Sequence, residues 1–293
     1  MPRAEANGIE LEYDTFGAPQ DQPLLLIMGL GTQMTAWDPR FCAMLAERGY
    51  YVIRFDNRDI GLSTQFDQMP EPDLFAILGG DTSTAPYFLA DMADDAAGLL
   101  DALGIERAHV VGASMGGMIA QELAIRHSER VLSLCSIMST TGNRAVGQPS
   151  GEALAAVMSP RGADRAQAIE RTVIVQRIIG SKTPEYAVTD EVRYRRAVDA
   201  YERSYRPEGA TRQVAAIAAS PDRTEALGTL KLPVLVMHGD QDPLVDISGG
   251  RATAAAVHGA ELVVFPGLAH DLPEPLWPAI VEAITGNAAK ATG

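Results

Sequence analysis

A serine becomes a nucleophile at neutral pH only when a base lies within hydrogen-bond reach and a third group orients that base. The chain holds a serine in the setting this chemistry demands. Ser114 lies in the run HVVGASMGG, His109 to Gly117. Val110-Val111 is a short β-branched run, whereas Met115, Met118, Ile119 and Leu123 follow helical spacing. The pattern predicts a strand arriving at Gly112, a sharp turn at Ser114 and a helix leaving at once. This is Gly-x-Ser-x-Gly in its strand–turn–helix context. The glycines have a steric purpose, because a Cβ at Gly112 or Gly116 would crowd the strained serine backbone. The helix then points its free N–H groups and partial positive charge at the serine.

The chain offers five histidines as the base. His127 falls in the polar end of the elbow helix, too far along to return to Ser114. His109 lies near the start of the elbow strand, at the opposite end of the sheet. His258 is in a polar turn before a strand. His238, near the end of a strand, comes closer to the site, although such strand ends also hold structural histidines. His270, in FPGLAHDLPEP, follows the last strand on a Gly/Pro-bounded loop at the carboxyl edge of the sheet. Catalytic groups gather at that edge in open α/β sheets, so His270 is the predicted base. For the orienting acid, MHGDQDPLV offers Asp240 and Asp242. Asp240 follows the strand immediately and serves equally well as a turn residue. Asp242 lies further out, before Pro243, where it can face His270, and is favoured. The order Ser114, Asp242, His270 is the one expected with this elbow. The substrate oxygen also needs donors as it gains charge. Backbone amides of Met115, after the serine, and of Leu30, in the MGLG loop, are the candidates for this oxyanion hole.

The elements that would position these residues alternate along the chain. NGIELEYDTFG alternates apolar and polar residues, as a half-exposed edge strand in a hairpin does. PLLLIMG, YVIRFDN and RVLSLCSIM are continuous apolar runs, as in strands covered on both faces. Helical periods span Trp37 to about Arg48 and Phe88 to Leu103. Residues 66 to 86 read as a long loop with a short helix at Leu74–Leu78. From about Thr140 to Gly228 no buried strand is predicted. Helical stretches run over Glu152–Met158, Asp164–Ile179, Thr189–Tyr205 and Thr211–Ala218 instead. This segment carries 13 of the 24 basic residues but only 11 of the 38 acidic ones, which marks it as a separate helical subdomain. The strand–helix rhythm resumes at Leu232–Asp240 and Ala260–Gly267, and a helix over Trp277–Ile284 closes the chain.

The 293 residues suffice for one large α/β domain with an insertion. A net charge of −14 without a basic stripe argues against a nucleic-acid partner. Cys42 and Cys135 have no metal-ligand spacing and read as buried thiols of a reducing compartment. The first residues, MPRAEANGIE, lack a basic segment followed by an apolar core, and no apolar run approaches the ~20 residues of a membrane helix. A cytoplasmic protein with no membrane partner is expected.

Together LLLIMGLG, VIRFDNRDIGLS, LLDALGIERAHVVGASMGG, PVLVMHGDQDPLV and FPGLAH resemble the α/β-hydrolase superfamily, in its capped serine-hydrolase branch. The resemblance covers nearly the whole chain outside the 140–228 segment. It implies a mostly parallel eight-stranded sheet with helices on both faces. Residues 1–139 and 229–293 would form the core, and residues 140–228 a helical cap inserted after the sixth strand. Two departures stand out. Met28-Gly29 replaces the family's usual His-Gly, and Asp59 replaces Gly in Asp-x-Arg-Gly-x-Gly-x-Ser, here residues 56–63. With these departures the chain is similar to methylesterases acting on anthracycline polyketides, aclacinomycin methylesterase among them, and to haloperoxidase-like bacterial esterases. Asp56, Arg58 and Ser63 are expected to brace loops. The implied reaction is hydrolysis of a small-molecule carboxylic ester through an acyl-enzyme, with no metal or cofactor. The Ile and Val of the cap suggest an apolar substrate. Hydrolysis of a C–C bond in a vinylogous diketone would use the same three residues. A ligand receptor on a hydrolase scaffold is the alternative of another class.

Overall fold

The computed structural model describes residues 1–160 and 162–291. Arg161, within the 140–228 stretch, and Thr292 and Gly293, at the end of the 229–293 stretch, lie outside the described residues. The chain opens with a hairpin. Strand β1 (Arg3–Ala6) turns at Asn7-Gly8 and returns antiparallel as β2 (Ile9–Phe16). Asn7 and Gly8 both take positive φ, 50° and 77°, which suits the right-handed twist of the paired strands.

The chain then alternates. Strand β3 (Gln22–Ile27), helix α1 (Pro39–Ala46), β4 (Tyr50–Phe55), the short α2 (Leu74–Leu78), α3 (Leu89–Ala102), β5 (Ala108–Ala113), α4 (Met115–Arg126) and β6 (Val131–Ile137) follow in turn. Helix α1 is shorter than its periodicity suggests. Pro39 occupies its first position with Asp38 as the N-cap, so Trp37 stands outside it, and a 3₁₀ turn covers Met34–Ala36. Between β6 and β7 (Val234–Gly239), the described residues form helices but no strand: α5 (Gly151–Val157), α6 (Arg165–Ile179), α7 (Asp190–Arg203), α8 (Pro207–Ala219) and the single turn α9 (Thr224–Leu227). Helix α10 (Ile247–Ala256), β8 (Glu261–Phe265) and α11 (Trp277–Ala289) complete the chain. Helix α11 runs past Ile284 because Ile284 and Ala288 continue its buried stripe.

The eight strands form one sheet in the order β1-β2-β4-β3-β5-β6-β7-β8. Among the described residues, β1 with β2 and β2 with β4 pair antiparallel and the other pairs are parallel. The period-2 geometry of the strands divides their apolar residues between two cores. Leu25, Ile27, Val110, Leu134 and Val236 face a core completed by α3 and α4. Leu24, Leu26, Val111, Cys135, Leu235 and Met237 face another, completed by α1 and α11. The sheet is therefore covered on both sides, and all loops at its carboxyl edge emerge together. Among the described residues no helix is long and apolar enough to cross a membrane.

Candidate active site

Central strand β5 delivers Ser114 to the carboxyl edge, between β3 and β6. Ser114 is one of the few non-glycine residues with positive φ, at φ 58° and ψ −123°, a conformation that costs an L-residue energy. Its surroundings hold it there. Its N–H donates to Ile137 O at 2.9 Å, and its carbonyl accepts from Ser139 Oγ at 2.8 Å. The flanking glycines are required by contact. A Cβ on Gly112 would lie 2.0 Å from the Gly116 carbonyl oxygen, and one on Gly116 would lie 2.1 Å from that of Ile27.

Two loops bring partners to this serine. His270 Nε2 lies 3.0 Å from Ser114 Oγ, and His270 Nδ1 lies 2.7 Å from Asp242 Oδ2. The Asp242 side chain is fully buried, and its other oxygen accepts from the Leu244 and Val245 amides at 2.9 Å each. An ionised carboxylate only accepts hydrogen bonds, so it keeps the neutral imidazole proton on Nδ1 and turns the Nε2 lone pair to the serine hydroxyl. Asp240, the other candidate acid, faces elsewhere: its carboxylate accepts from the Gly267 amide at 2.7 Å and fixes the turn after β8.

Three of the other histidines, His109, His127 and His238, have partners of their own. His109 sits at the far end of β5, bonded to Ser133 Oγ and Gln22 Oε1. His127 pairs with Asp94. His238 is fully buried, donates from Nε2 to Val245 O at 2.8 Å, and lies 3.6 Å from the Asp242 oxygen that faces His270. Burial holds its imidazole below the ordinary histidine range, so it adds no charge beside that carboxylate.

The Met28–Gly31 loop crosses directly over Ser114. A Cβ on Gly29 would lie 3.0 Å from Ser114 Cβ. Among the described residues, neither the Leu30 nor the Met115 amide has a protein acceptor. The loop is braced from below as the 56–63 motif suggests. Asn57 Nδ2 donates to Met28 O, Asp56 accepts from the Met34 and Leu62 amides, and Arg58 forms a bidentate pair with Asp95. Asp59, the residue that replaces glycine, holds a left-handed φ of 69°. It keeps that conformation with three kinds of partner: the Arg212 guanidinium, the Tyr87 hydroxyl and the Phe66 amide.

Sequence reasoning missed the residues of the β6–β7 segment that grip these loops. Gln213 of α8 accepts from Gly31 N–H at 2.8 Å. Gln33 Nε2 donates to the Ala200 and Ser204 carbonyls at the end of α7. On the other flank, the His270 amide donates to Ile179 O, and Ser181 bonds both Asp271 and the Ala269 amide. Nothing local distinguishes these glutamines and this serine from solvated helix and turn residues. The apolar residues of the segment also have a use of their own, since Ile169, Val173 and Ala197 form a small separate core.

A sheet of this order, with a serine on a strained strand-to-helix turn and a histidine–carboxylate pair at the same edge, defines a class of hydrolytic fold. The chain belongs to the α/β-hydrolase fold family, whose model matches residues 22–274. It is 28% identical over 97% of its length to rhodomycin D methylesterase DauP of Streptomyces sp. (strain C5), covering 96% of that protein. It is 26% identical over 95% of its length to the putative carbamate hydrolase RutD of Caulobacter sp. (strain K31), covering 97% of it. The fold is shared with the meta-cleavage product hydrolase CumD of Pseudomonas fluorescens IP01, at a TM-score of 0.70 and 24% identity, over 100% of this chain and 96% of that one. The methylesterase likeness read from residues 28–29 and 56–63 thus extends over nearly the whole chain.

Proposed function

We propose that the protein is a serine hydrolase that cleaves a small-molecule carboxylic ester through an acyl-enzyme, with Ser114 as nucleophile, His270 as base and Asp242 as orienting acid. The observation that carries this reading is the unbroken hydrogen-bond relay from Ser114 Oγ through His270 to the buried Asp242. Ser114 Oγ attacks the ester carbonyl carbon as His270 Nε2 takes its proton. Asp242 holds the ring tautomer and stabilises the imidazolium. The Leu30 and Met115 amides receive the negative oxygen of the tetrahedral intermediate. Collapse breaks the bond to the leaving oxygen, which departs as the alcohol with the proton from His270. Water then gives a proton to His270, attacks the acyl-enzyme and releases the carboxylic acid and Ser114.

The helices of residues 140–228 act as a cap over Ser114 and shape the pocket. Likeness to DauP over nearly both full lengths favours a methyl ester of a polyketide-like molecule, with methanol as the alcohol released. The test is turnover of p-nitrophenyl acetate and butyrate and of a panel of methyl esters, with fluorophosphonate labelling read by peptide mass. Steady turnover with the label on Ser114 is expected. A preference for vinylogous diketones over every ester would assign C–C hydrolysis instead. Labelling in a single burst without turnover would assign a receptor role.

A further inference from the structure

We infer that Gln213 is a positioning residue for the oxyanion hole: its buried amide ties the Leu30–Gly31 peptide to helix α8, so that the seating of α8 sets where the Leu30 N–H points. The inference rests on the serine-hydrolase reading above and names a group that acts through the loop, not on the substrate.

The Leu30–Gly31 peptide is a rigid plane and is held at both ends. Its N–H, from Gly31, donates to Gln213 Oε1 at 2.8 Å, and its C=O, from Leu30, accepts from Thr32 Oγ1 at 3.0 Å. On the other side of Leu30, Gly29 lies against Ser114. The Leu30 N–H therefore sits between one point fixed by the nucleophile and one fixed by α8. Gln213 is itself fully buried, and its Nε2 donates to Arg58 O at 2.9 Å. Both ends of its amide are used, and the side chain is closed off from solvent. Helix α8 is seated on the same loop next door. Arg212 makes its two bonds to the buried Asp59 carboxylate, and a Cβ on Gly209 would lie 1.9 Å from Asp59 O, so helix and loop meet backbone to backbone. The bond from Gln213 thus joins a firmly anchored turn of α8 to the peptide next to the Leu30 N–H.

Gln213→Leu removes both bonds at similar volume and leaves the Gly31 N–H and the Arg58 carbonyl without partners. Gln213→Glu separates positioning from packing. As a neutral acid it presents a carbonyl to Gly31 N–H and a hydroxyl to Arg58 O, as the amide does. As a carboxylate it turns an oxygen onto the Arg58 carbonyl and is repelled. The experiment compares wild type, Q213L and Q213E by kcat and KM for p-nitrophenyl butyrate between pH 5.5 and 8.5, by thermal melting, and by fluorophosphonate labelling of Ser114. In Q213L kcat should fall by between about 10-fold and 10²-fold, approaching the loss of one oxyanion donor, while KM changes less than about threefold. The ratio of Q213E to wild-type kcat should rise as pH falls. The charged groups around residue 213, the Arg212–Asp59 and Arg58–Asp95 pairs, are present in both proteins, so the comparison is made as the ratio to wild type at each pH. An active, labelled wild type beside a Q213L of unchanged kcat, or a Q213E ratio flat with pH, overturns this inference alone. Should Q213L fail to fold, the pH dependence of Q213E decides. A wild type that neither labels nor turns over overturns the esterase reading and this inference with it.

Discussion

The two sides of the candidate site are built in opposite ways. The elbow around Ser114 is made by glycines at 112 and 116, whose missing Cβ atoms let β5, α4 and the end of β3 close to 2.0–2.1 Å of where those atoms would be. The loops that face it, Gly29–Gln33 and Gly267–Asp271, are held from far along the chain. Gly31 is tied to Gln213, Gln33 to Ala200 and Ser204, and the 267–271 loop to Ile179, Ser181 and Thr183. Ser114 is thus fixed by close packing and hydrogen bonds at the centre of the sheet, from β3, β5, β6 and α4. The geometry of its partners depends on how the β6–β7 segment is seated. Such a site keeps Ser114 in place when the segment shifts, while the Leu30 amide and His270 lose their alignment with it.

The hardest break is on the local side. Ser114→Ala should abolish turnover and fluorophosphonate labelling while leaving the melting temperature within a few degrees of wild type. Asp242→Asn should lower kcat by about 10⁴-fold, because a neutral amide at that place no longer enforces the Nδ1–H tautomer. Steady-state kinetics and circular dichroism check both. Wild-type activity in either variant removes the relay from the mechanism. Gly116→Ala comes next. Its methyl would meet the Ile27 and Met28 carbonyl oxygens, so β3 or α4 must shift, at a cost of about 1–3 kcal/mol. Urea denaturation should show that loss together with a fall in kcat, since the shifted backbone carries Ser114 with it. An unchanged midpoint would mean that the elbow tolerates more slack than its contacts imply.

This contrast also explains what could be read from the sequence. The elbow, the strands and the Ser114–Asp242–His270 set were legible because each rests on a short pattern with one physical cause: a glycine where a Cβ cannot fit, an apolar run where both faces are covered, a carboxylate beyond a strand end. Helix α2 was legible for the same reason, between the turn-rich stretches that bound it. The start of α1 lies later than the apolar spacing suggests, because apolar residues continue through Trp37 while Pro39 and its Asp38 cap decide where the helix begins. Asp59 could be seen to depart from a family pattern. What could not be seen was that Arg212, some 150 residues on, supplies the compensating charge for a side chain held at positive φ. Gln213, Gln33 and Ser181 carry no local signature, since a buried bracket and a solvated polar residue are spelled alike.

Ser181→Ala tests the distant side more gently. Ser181 Oγ donates to Asp271 and accepts from the Ala269 amide, which brackets His270. Burial raises the Asp271 carboxyl above its ordinary range and Ser181 works against that shift, so the variant leaves a poorly solvated acid beside His270. A loss of about 1–3 kcal/mol is expected in urea denaturation from the unpaired groups. A fall in kcat of up to about 10-fold with little change in KM should accompany it. If stability falls and kcat does not, the 267–271 loop is fixed by its other bonds and the asymmetry between the two sides narrows to the oxyanion loop.

The smallest effect should come from the far end of β5, which separates the strength of the elbow strand from the chemistry at its tip. His109 is buried against Ser133, Gln22 and the Tyr50 ring, and burial, aided by Arg107, pushes its imidazole down from 6.5 to about 4. In the unfolded chain it takes a proton near pH 6.5; in the folded protein it does not until about pH 4. Between those values the unfolded state binds more protons, so stability falls as pH falls through that window. The full shift corresponds to a loss on the order of 3 kcal/mol by its acid end. His109→Gln keeps a hydrogen-bonding group but cannot titrate. It should lower stability by about 1 kcal/mol at pH 7 through the altered bonds and flatten the decline between pH 6.5 and 4. His238, whose burial acts in the same direction, is present in both proteins and leaves part of the slope in each. Because residue 109 lies at the opposite end of the strand from Ser114, kcat at pH 7.5 should not change. A variant that loses activity there would show that strain at one end of β5 is transmitted to the other, and that the elbow is less self-contained than its glycines make it appear.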